Sequence, residues 1–294
     1  MGRKTLRALT MPFVAALLAM LSLSSCSNKP VIVVGSKNFT EQVILGEIIA
    51  AQIERRLGVE VDRKLNLGGT LLAHEALLSG SIDLYPEYSG TALTEILHKP
   101  VQKDAHSVFQ AVAEGYRALG ITWLTPLGFN NTFAMVVRTD VAQREHLKTL
   151  SDAAGLPWRI GVGYEFTQRP DGLDGLVQTY GLKIDGQPVV MDLGLLYAAL
   201  KLDQVALVAA NATDGMLGHK EFTQLEDDRH YFPPYECAIA VREESLKKFP
   251  GLKKALDELS GRITDAAMRR MNEQVDVEHQ SAAQVAREFL ETWK

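Results

Sequence analysis

Apolar β-branched runs alternate along this chain with segments whose apolar residues recur at helical spacing. That alternation predicts βαβ units around a parallel sheet. The run Val31-Ile-Val-Val34 reads as a buried strand and breaks at Gly35-Ser-Lys-Asn38. A helix follows, with Asn38 as a candidate cap and Val43, Ile44, Ile48 and Ile53 on one face. Residues 59–67 read as a second strand, and Gly68-Gly-Thr70 opens a second helix. Residues 81–85 read as a third strand, which runs through Pro86-Glu-Tyr88 into another helix. The same order restarts later: a strand at 158–162, mostly helix over 165–180, a strand at 189–191, a helix at 195–200 and a very apolar strand at 205–210. Two α/β lobes of similar design result. The segments 131–138 and 235–242 begin polar or aromatic and turn strand-like, as paired crossings between lobes would, and residues 243–294 form amphipathic helix. Two lobes joined by two crossings leave a cleft, and ligands of open α/β sheets lie beyond the carboxyl ends of the strands. The segments predicted to face it, residues 35–42, 85–91, 161–172 and 211–215, are also the most polar, Gly-rich and aromatic of the chain.

Composition narrows the picture. With 294 residues, 46% of them hydrophobic, the chain has material for a large core, so a disordered or fibrous protein is excluded. Two cysteines cannot build a disulfide framework or a Cys-rich zinc site, and a net charge of −5 argues against a broad basic surface for nucleic acid. The N-terminus differs from the rest. Arg3, Lys4 and Arg7 precede an uncharged apolar run from Met11 to Leu21, too short to span a bilayer comfortably. Leu23-Ser-Ser-Cys26 then resembles the lipobox of bacterial lipoproteins. On that resemblance residues 1–25 are a signal peptide, Cys26 carries lipid, and 26–30 form a tether. Cleavage removes three Lys/Arg and no Asp/Glu, which moves the net charge from −5 to −8. Cys237, in a strand-like setting, reads as a buried, inert thiol.

Five ordered motifs point to a family. Gly35-Ser-Lys-Asn-Phe-Thr-Glu-Gln42, Leu84-Tyr-Pro-Glu-Tyr-Ser-Gly-Thr91, Gly128-Phe-Asn-Asn-Thr132, Arg169-Pro-Asp-Gly172 and Thr213-Asp-Gly215 closely resemble the osmoprotectant-binding proteins of ABC importers. These bind glycine betaine, choline or carnitine and have a two-lobed type II periplasmic-binding-protein fold, α/β with a central cleft and two interlobe crossings. The resemblance implies one lobe from residues 31–131 plus 237–294 and another from 132–236. It also implies a box of aromatic faces for a quaternary ammonium, which cannot donate ordinary hydrogen bonds and is suited to π faces at about 0.5–2 kcal/mol per contact. Tyr88 and Tyr235 match box tyrosines. Phe133 stands where a third tyrosine is common and Asn211 where a fourth often stands, while Asn131 occupies a position that touches the cation in some members. Lys37, Thr91 and Arg169 match the carboxylate-binding positions. Independently of the resemblance, Lys37 and Thr91 fall at predicted helix starts, and Arg169 can grip a carboxylate with a bidentate fork.

Taken singly, each of these residues has a blander reading: packing tyrosines, a solvated lysine, a surface arginine. Tyr85, Glu87 and Asp214 read as structural, respectively a strand end, a turn acid, and a helix cap or interlobe ion pair. Enzyme signatures are poor. Gly161-Val-Gly163 lacks the third glycine of a dinucleotide fingerprint, the seven His show no zinc spacing, and there is neither a P-loop nor a nucleophile elbow. The sequence therefore predicts a non-enzymatic, extracytoplasmic, lipid-anchored monomer with no cofactor, metal or nucleic acid. Its partners are a small zwitterion, an ABC permease and that permease's separate ATPase. The open alternatives are another zwitterion or amine such as ergothioneine, and a sensory lipoprotein on the same lobes.

Overall fold

Two five-stranded mixed sheets carry the chain in the computed structural model, which describes residues 31–292 and Gly2. The signal peptide, the tether and the lipidation expected at Cys26 lie outside the described residues. The first sheet runs in the order β2 (Val61–Lys64), β1 (Ile32–Gly35), β3 (Leu84–Tyr88), β12 (Cys237–Arg242), β4 (Ile121–Trp123). The second runs β11 (Phe222–Leu225), β5 (Phe133–Arg138), β10 (Leu207–Asn211), β7 (Ile160–Val162), β9 (Val189–Val190). A two-stranded parallel pair, β6 (Pro157–Trp158) with β8 (Lys183–Ile184), flanks the second.

Within each sheet the strands of the βαβ units are parallel: β1 with β2 and β3, β7 with β9 and β10. The sheets are nevertheless mixed, not parallel throughout. The strands that follow the crossings enter antiparallel, β5 against β10 and β12 against β3. The crossings themselves run side by side, with Asn130 bridged antiparallel to Glu236 and the Asn131 amide donating to the Tyr235 carbonyl at 3.2 Å.

Local boundaries differ from the sequence expectation where a cap or proline intervenes. The first helix spans Thr40–Leu57 and is entered through Phe39, not capped by Asn38. Its Ile44, Leu45, Ile48, Ile49 and Ile53 are fully buried, which is the face the periodicity predicts. The third strand runs Leu84–Tyr88, not 81–85, so Glu87 is a strand residue and not a turn acid. The helix expected over 165–180 is two, Tyr164–Gln168 and Leu173–Tyr180, because Pro170 forces Arg169 into extended backbone (φ −80°, ψ 145°). Cys237 is free and fully buried, and burial pushes its thiol far above the usual range, which disfavours the reactive thiolate. Among the described residues no helix is long and apolar enough to cross a membrane.

Candidate ligand-binding cleft

The strand ends and the crossings converge on a cavity of about 420 Å³, and Lys37, Tyr88, Thr91, Asn131, Phe133, Arg169, Asn211 and Tyr235 all line it. The fold explains the convergence. Lys37 follows β1, Tyr88 ends β3, Phe133 starts β5 and Asn211 ends β10, while Asn131 and Tyr235 sit on the paired crossings. Gly90 matters here, since a Cβ on it would meet the Tyr235 ring at 2.7 Å. Glycine lets the backbone before Thr91 lie directly on that ring.

Aromatic faces dominate the walls. Phe133 packs on Phe166 at 4.7 Å and meets Tyr235 edge-on at 5.5 Å between centroids, while Phe39 stacks on Tyr88 at 6.2 Å. Phe39 and Phe166 were missed in the sequence. Both lie in segments expected to face the cleft, 35–42 and 161–172, but neither is singled out by the motifs as a box residue.

The two cations are not free. Lys37 is 3% exposed and its Nζ lies 2.5 Å from Glu87 Oε1, donates to Thr70 Oγ1 at 3.0 Å, and stands 5.3 Å from the centre of the Tyr88 ring. Glu87, read from the sequence as a turn acid, is this buried counter-ion. The fork of Arg169, expected for a ligand carboxylate, is engaged by Asp171 through Nε and Nη2, both at 2.8 Å. Asp171 is only two residues away, brought back by the Pro-Asp-Gly turn, and it also accepts from the Tyr235 hydroxyl at 2.6 Å. Arg169 Nη1 donates across the cleft to Thr91 Oγ1 at 3.1 Å, and its guanidinium carbon lies 5.4 Å and 5.6 Å from the Phe133 and Tyr235 rings. Nε, Nη1 and Nη2 of Arg169 are thereby each engaged at least once.

Glu41 has the opposite character. It is 2% exposed and accepts from Tyr88 Oη at 2.7 Å, Asn131 Nδ2 at 2.8 Å, Thr213 Oγ1 at 2.5 Å and Asn272 Nδ2 at 3.1 Å. No lysine or arginine pairs with it among the described residues. Burial raises its pKa, and the four hydrogen bonds oppose that shift only in part. Asn131, expected to touch a cation, spends its amide on this carboxylate. Lys37 and Arg169 are each paired with a neighbouring carboxylate, whereas Glu41, hydrogen-bonded to the Tyr88 hydroxyl, has no such partner among the described residues.

A second carboxylate bridges the lobes. Glu165 accepts from the Thr70 backbone N–H at 2.7 Å and hydroxyl at 3.1 Å, at the start of the Thr70–Leu78 helix, where free N–H groups favour an anion. A Cβ on Gly69 would stand 2.3 Å from Glu165 Oε1, so glycine leaves room for this contact.

Asp214 neither caps the following turn with its side chain nor pairs with a cation among the described residues. It accepts from the Asn211 backbone N–H at 3.0 Å and the Tyr197 hydroxyl at 3.2 Å. Burial first, then the nearby Glu41 charge, pushes its pKa up to about 7. An acid whose native pKa is raised binds more protons folded than unfolded, so its contribution to stability falls as pH rises from about 4 to about 7. We expect a higher melting temperature at about pH 5.5 than at about pH 8, and a smaller difference in Asp214→Asn. An unchanged pH slope in that variant would remove Asp214 from the explanation.

Comparisons with known proteins agree with this geometry. Residues 30–292 match the OpuAC family, described as the substrate-binding domain of ABC-type glycine betaine transport systems. A glycine-betaine-binding protein of Pseudomonas aeruginosa is 36% identical over 269 residues, covering 87% of this chain and 86% of its own. The ergothioneine transport permease/ergothioneine binding protein EgtU of Helicobacter pylori is 32% identical over 281 residues, covering 94% of this chain; the match spans 50% of that longer protein. A crystal structure of a glycine betaine/carnitine/choline ABC transporter protein superposes with a TM-score of 0.75 at 29% identity, covering 89% of this chain and 98% of the other. The two-lobed α/β binding-protein fold expected from the sequence is thus the fold observed.

Proposed function

Since the chain belongs to the family of substrate-binding domains of ABC-type glycine betaine transport systems, we propose that it captures a quaternary ammonium zwitterion between its lobes, outside the cytoplasmic membrane, and hands it to a separate permease. The charge balance of the cleft carries the reading. Aromatic faces surround a cavity whose two cations are internally paired, while Glu41, buried and hydrogen-bonded to the hydroxyl of the cavity-lining Tyr88, has no lysine or arginine partner among the described residues. A trimethylammonium satisfies both features, since it offers charge and apolar surface and asks for no acceptor. The Arg169 guanidinium serves the carboxylate end. The cation box is then Tyr88, Phe133 and Tyr235 with Asn131 and Asn211 at its margin, and Lys37, Thr91 and Arg169 form the polar end. Lobes of 31–131 plus 237–294 and of 132–236 close around the ligand, and lipid on Cys26 tethers a monomer to the membrane. The protein itself does no chemistry; the ATPase that drives uptake is another chain.

Titration calorimetry tests this. Glycine betaine, carnitine, choline and proline betaine are measured against the purified protein, together with the carbon isostere of choline, in which carbon replaces the nitrogen. We expect the trimethylammonium compounds to bind and the isostere, equal in shape but uncharged, to bind at least about tenfold more weakly. Equal affinity for choline and its isostere, or no binding of any of the cations, would sink the quaternary ammonium assignment.

A second ligand class is favoured by one residue. Asn211 puts a short amide where the family resemblance expects an aromatic wall, which suits a larger betaine such as ergothioneine, the substrate named for the Helicobacter relative.

A further inference from the structure

We propose that the cleft has a second subsite, behind Asn211, that receives an N–H-bearing or cationic extension of the bound zwitterion. The inference rests on the quaternary ammonium reading of the main cavity. A second chamber of about 370 Å³ adjoins that cavity, and Phe39, Leu193 and Asn211 line both, so these three side chains form the partition. Of the three, Asn211 is the only polar one. Its Nδ2 is held back toward Asp214 Oδ1 at 3.4 Å.

The chamber's polar wall includes three carboxylates, those of Glu41, Asp214 and Asp276. Asn272, 2% exposed, spends its Nδ2 on Glu41 and on the Thr213 carbonyl, which leaves its buried Oδ1 with no donor. A buried acceptor without a partner costs about 1–3 kcal/mol unless something supplies a hydrogen. Three donors that line the chamber have partners. Thr40 Oγ1 donates to Asp276 at 2.6 Å and Tyr197 to Asp214, while Lys201 pairs outward with Glu221 at 3.0 Å. The three carboxylates are not grouped to hold a metal ion among the described residues. Burial keeps all three above the usual carboxylate range, so positive charge brought by a ligand relieves them. The chamber therefore asks for N–H donors and positive charge, and a simple betaine seated in the aromatic box has neither to extend into it.

Three probes separate the contributions: glycine betaine, the Nα-trimethyl betaine of lysine, and that of norleucine, which has the same reach without the ammonium. Each is titrated calorimetrically against the wild type, Asp276→Asn and Ala198→Trp. Asp276 and the exposed Ala198 line the second chamber and not the main cavity. Asp276→Asn keeps the oxygen that accepts from Thr40, and Ala198→Trp narrows the chamber from its outer wall. We expect the lysine betaine to bind the wild type at least about tenfold more tightly than the norleucine betaine. Both variants should cut that ratio to near one while glycine betaine is unaffected. Glycine betaine binding with equal affinities for the two longer probes would overturn the second subsite alone. So would a ratio that survives both substitutions. Failure of all three probes to bind the wild type would overturn the quaternary ammonium reading and this inference with it.

Discussion

Replacing Arg169 with Ala is expected to destabilise the protein by about 3–5 kcal/mol, because the buried Asp171 would be stranded without its counter-ion. Arg169 is 5% exposed and Asp171 1%, and the Tyr235 hydroxyl would be the main hydrogen bond left to the carboxylate. Removing both charges together, in Arg169→Met with Asp171→Asn, should cost well under half of that, since no uncompensated charge remains. Urea denaturation of the single and double variants measures the difference. Equal losses in the two would mean that the ion pair is not what holds this turn. The double variant also isolates the ligand's carboxylate end. With the guanidinium gone, glycine betaine should lose at least about tenfold in affinity and choline, which has no carboxylate, much less. Equal losses for both ligands would contradict a division of the site into a cationic and a carboxylate end.

How much of this was legible in the sequence depends on the distance over which each feature is encoded. The lobes were legible because strand and helix periodicities are local, and the long apolar face Ile44 to Ile53 is buried where the spacing puts it. The third strand was misplaced because Pro86 reads as a strand breaker. In the fold β1 pairs with β3 only at Leu84, so past that point β3 has β12 on one side only, and Pro86, opposite Ile239, needs no second ladder. The break at Arg169 is encoded locally, since Pro170 disfavours helical backbone at the residue before it. The site residues were named from motifs, and the cavity unites them. Their electrostatic roles were not legible, because those depend on partners far along the chain. Glu87 meets Lys37 across 50 residues, and Glu41 meets Thr213 and Asn272 across 172 and 231. No local pattern distinguishes a capping acid in the first turn of a helix from a buried carboxylate beside a binding site.

That carboxylate supports the second large effect. Glu41→Gln should weaken choline binding by at least about tenfold, since it removes the carboxylate that the Tyr88 hydroxyl and the Asn131 amide hold beside the box. Glycine betaine should lose less, because its carboxylate is repelled by the same charge. This ordering is the reverse of the one expected for the Arg169 and Asp171 double variant. The substitution also points an amide toward groups that now donate to Glu41, among them Thr213 and Asn272, so some loss of cleft closure accompanies the loss of charge. A pH profile separates the two causes. Burial holds the Glu41 pKa above the usual carboxylate range, so acidification protonates it while the ligand's quaternary nitrogen keeps its charge at every pH. Choline affinity of the wild type should therefore fall as pH is lowered toward the raised pKa, and the affinity of Glu41→Gln should stay flat over the same range. A merely structural role for Glu41 would lower affinity in the variant without removing the pH dependence, and a profile that persists in Glu41→Gln would assign the titration to a different group.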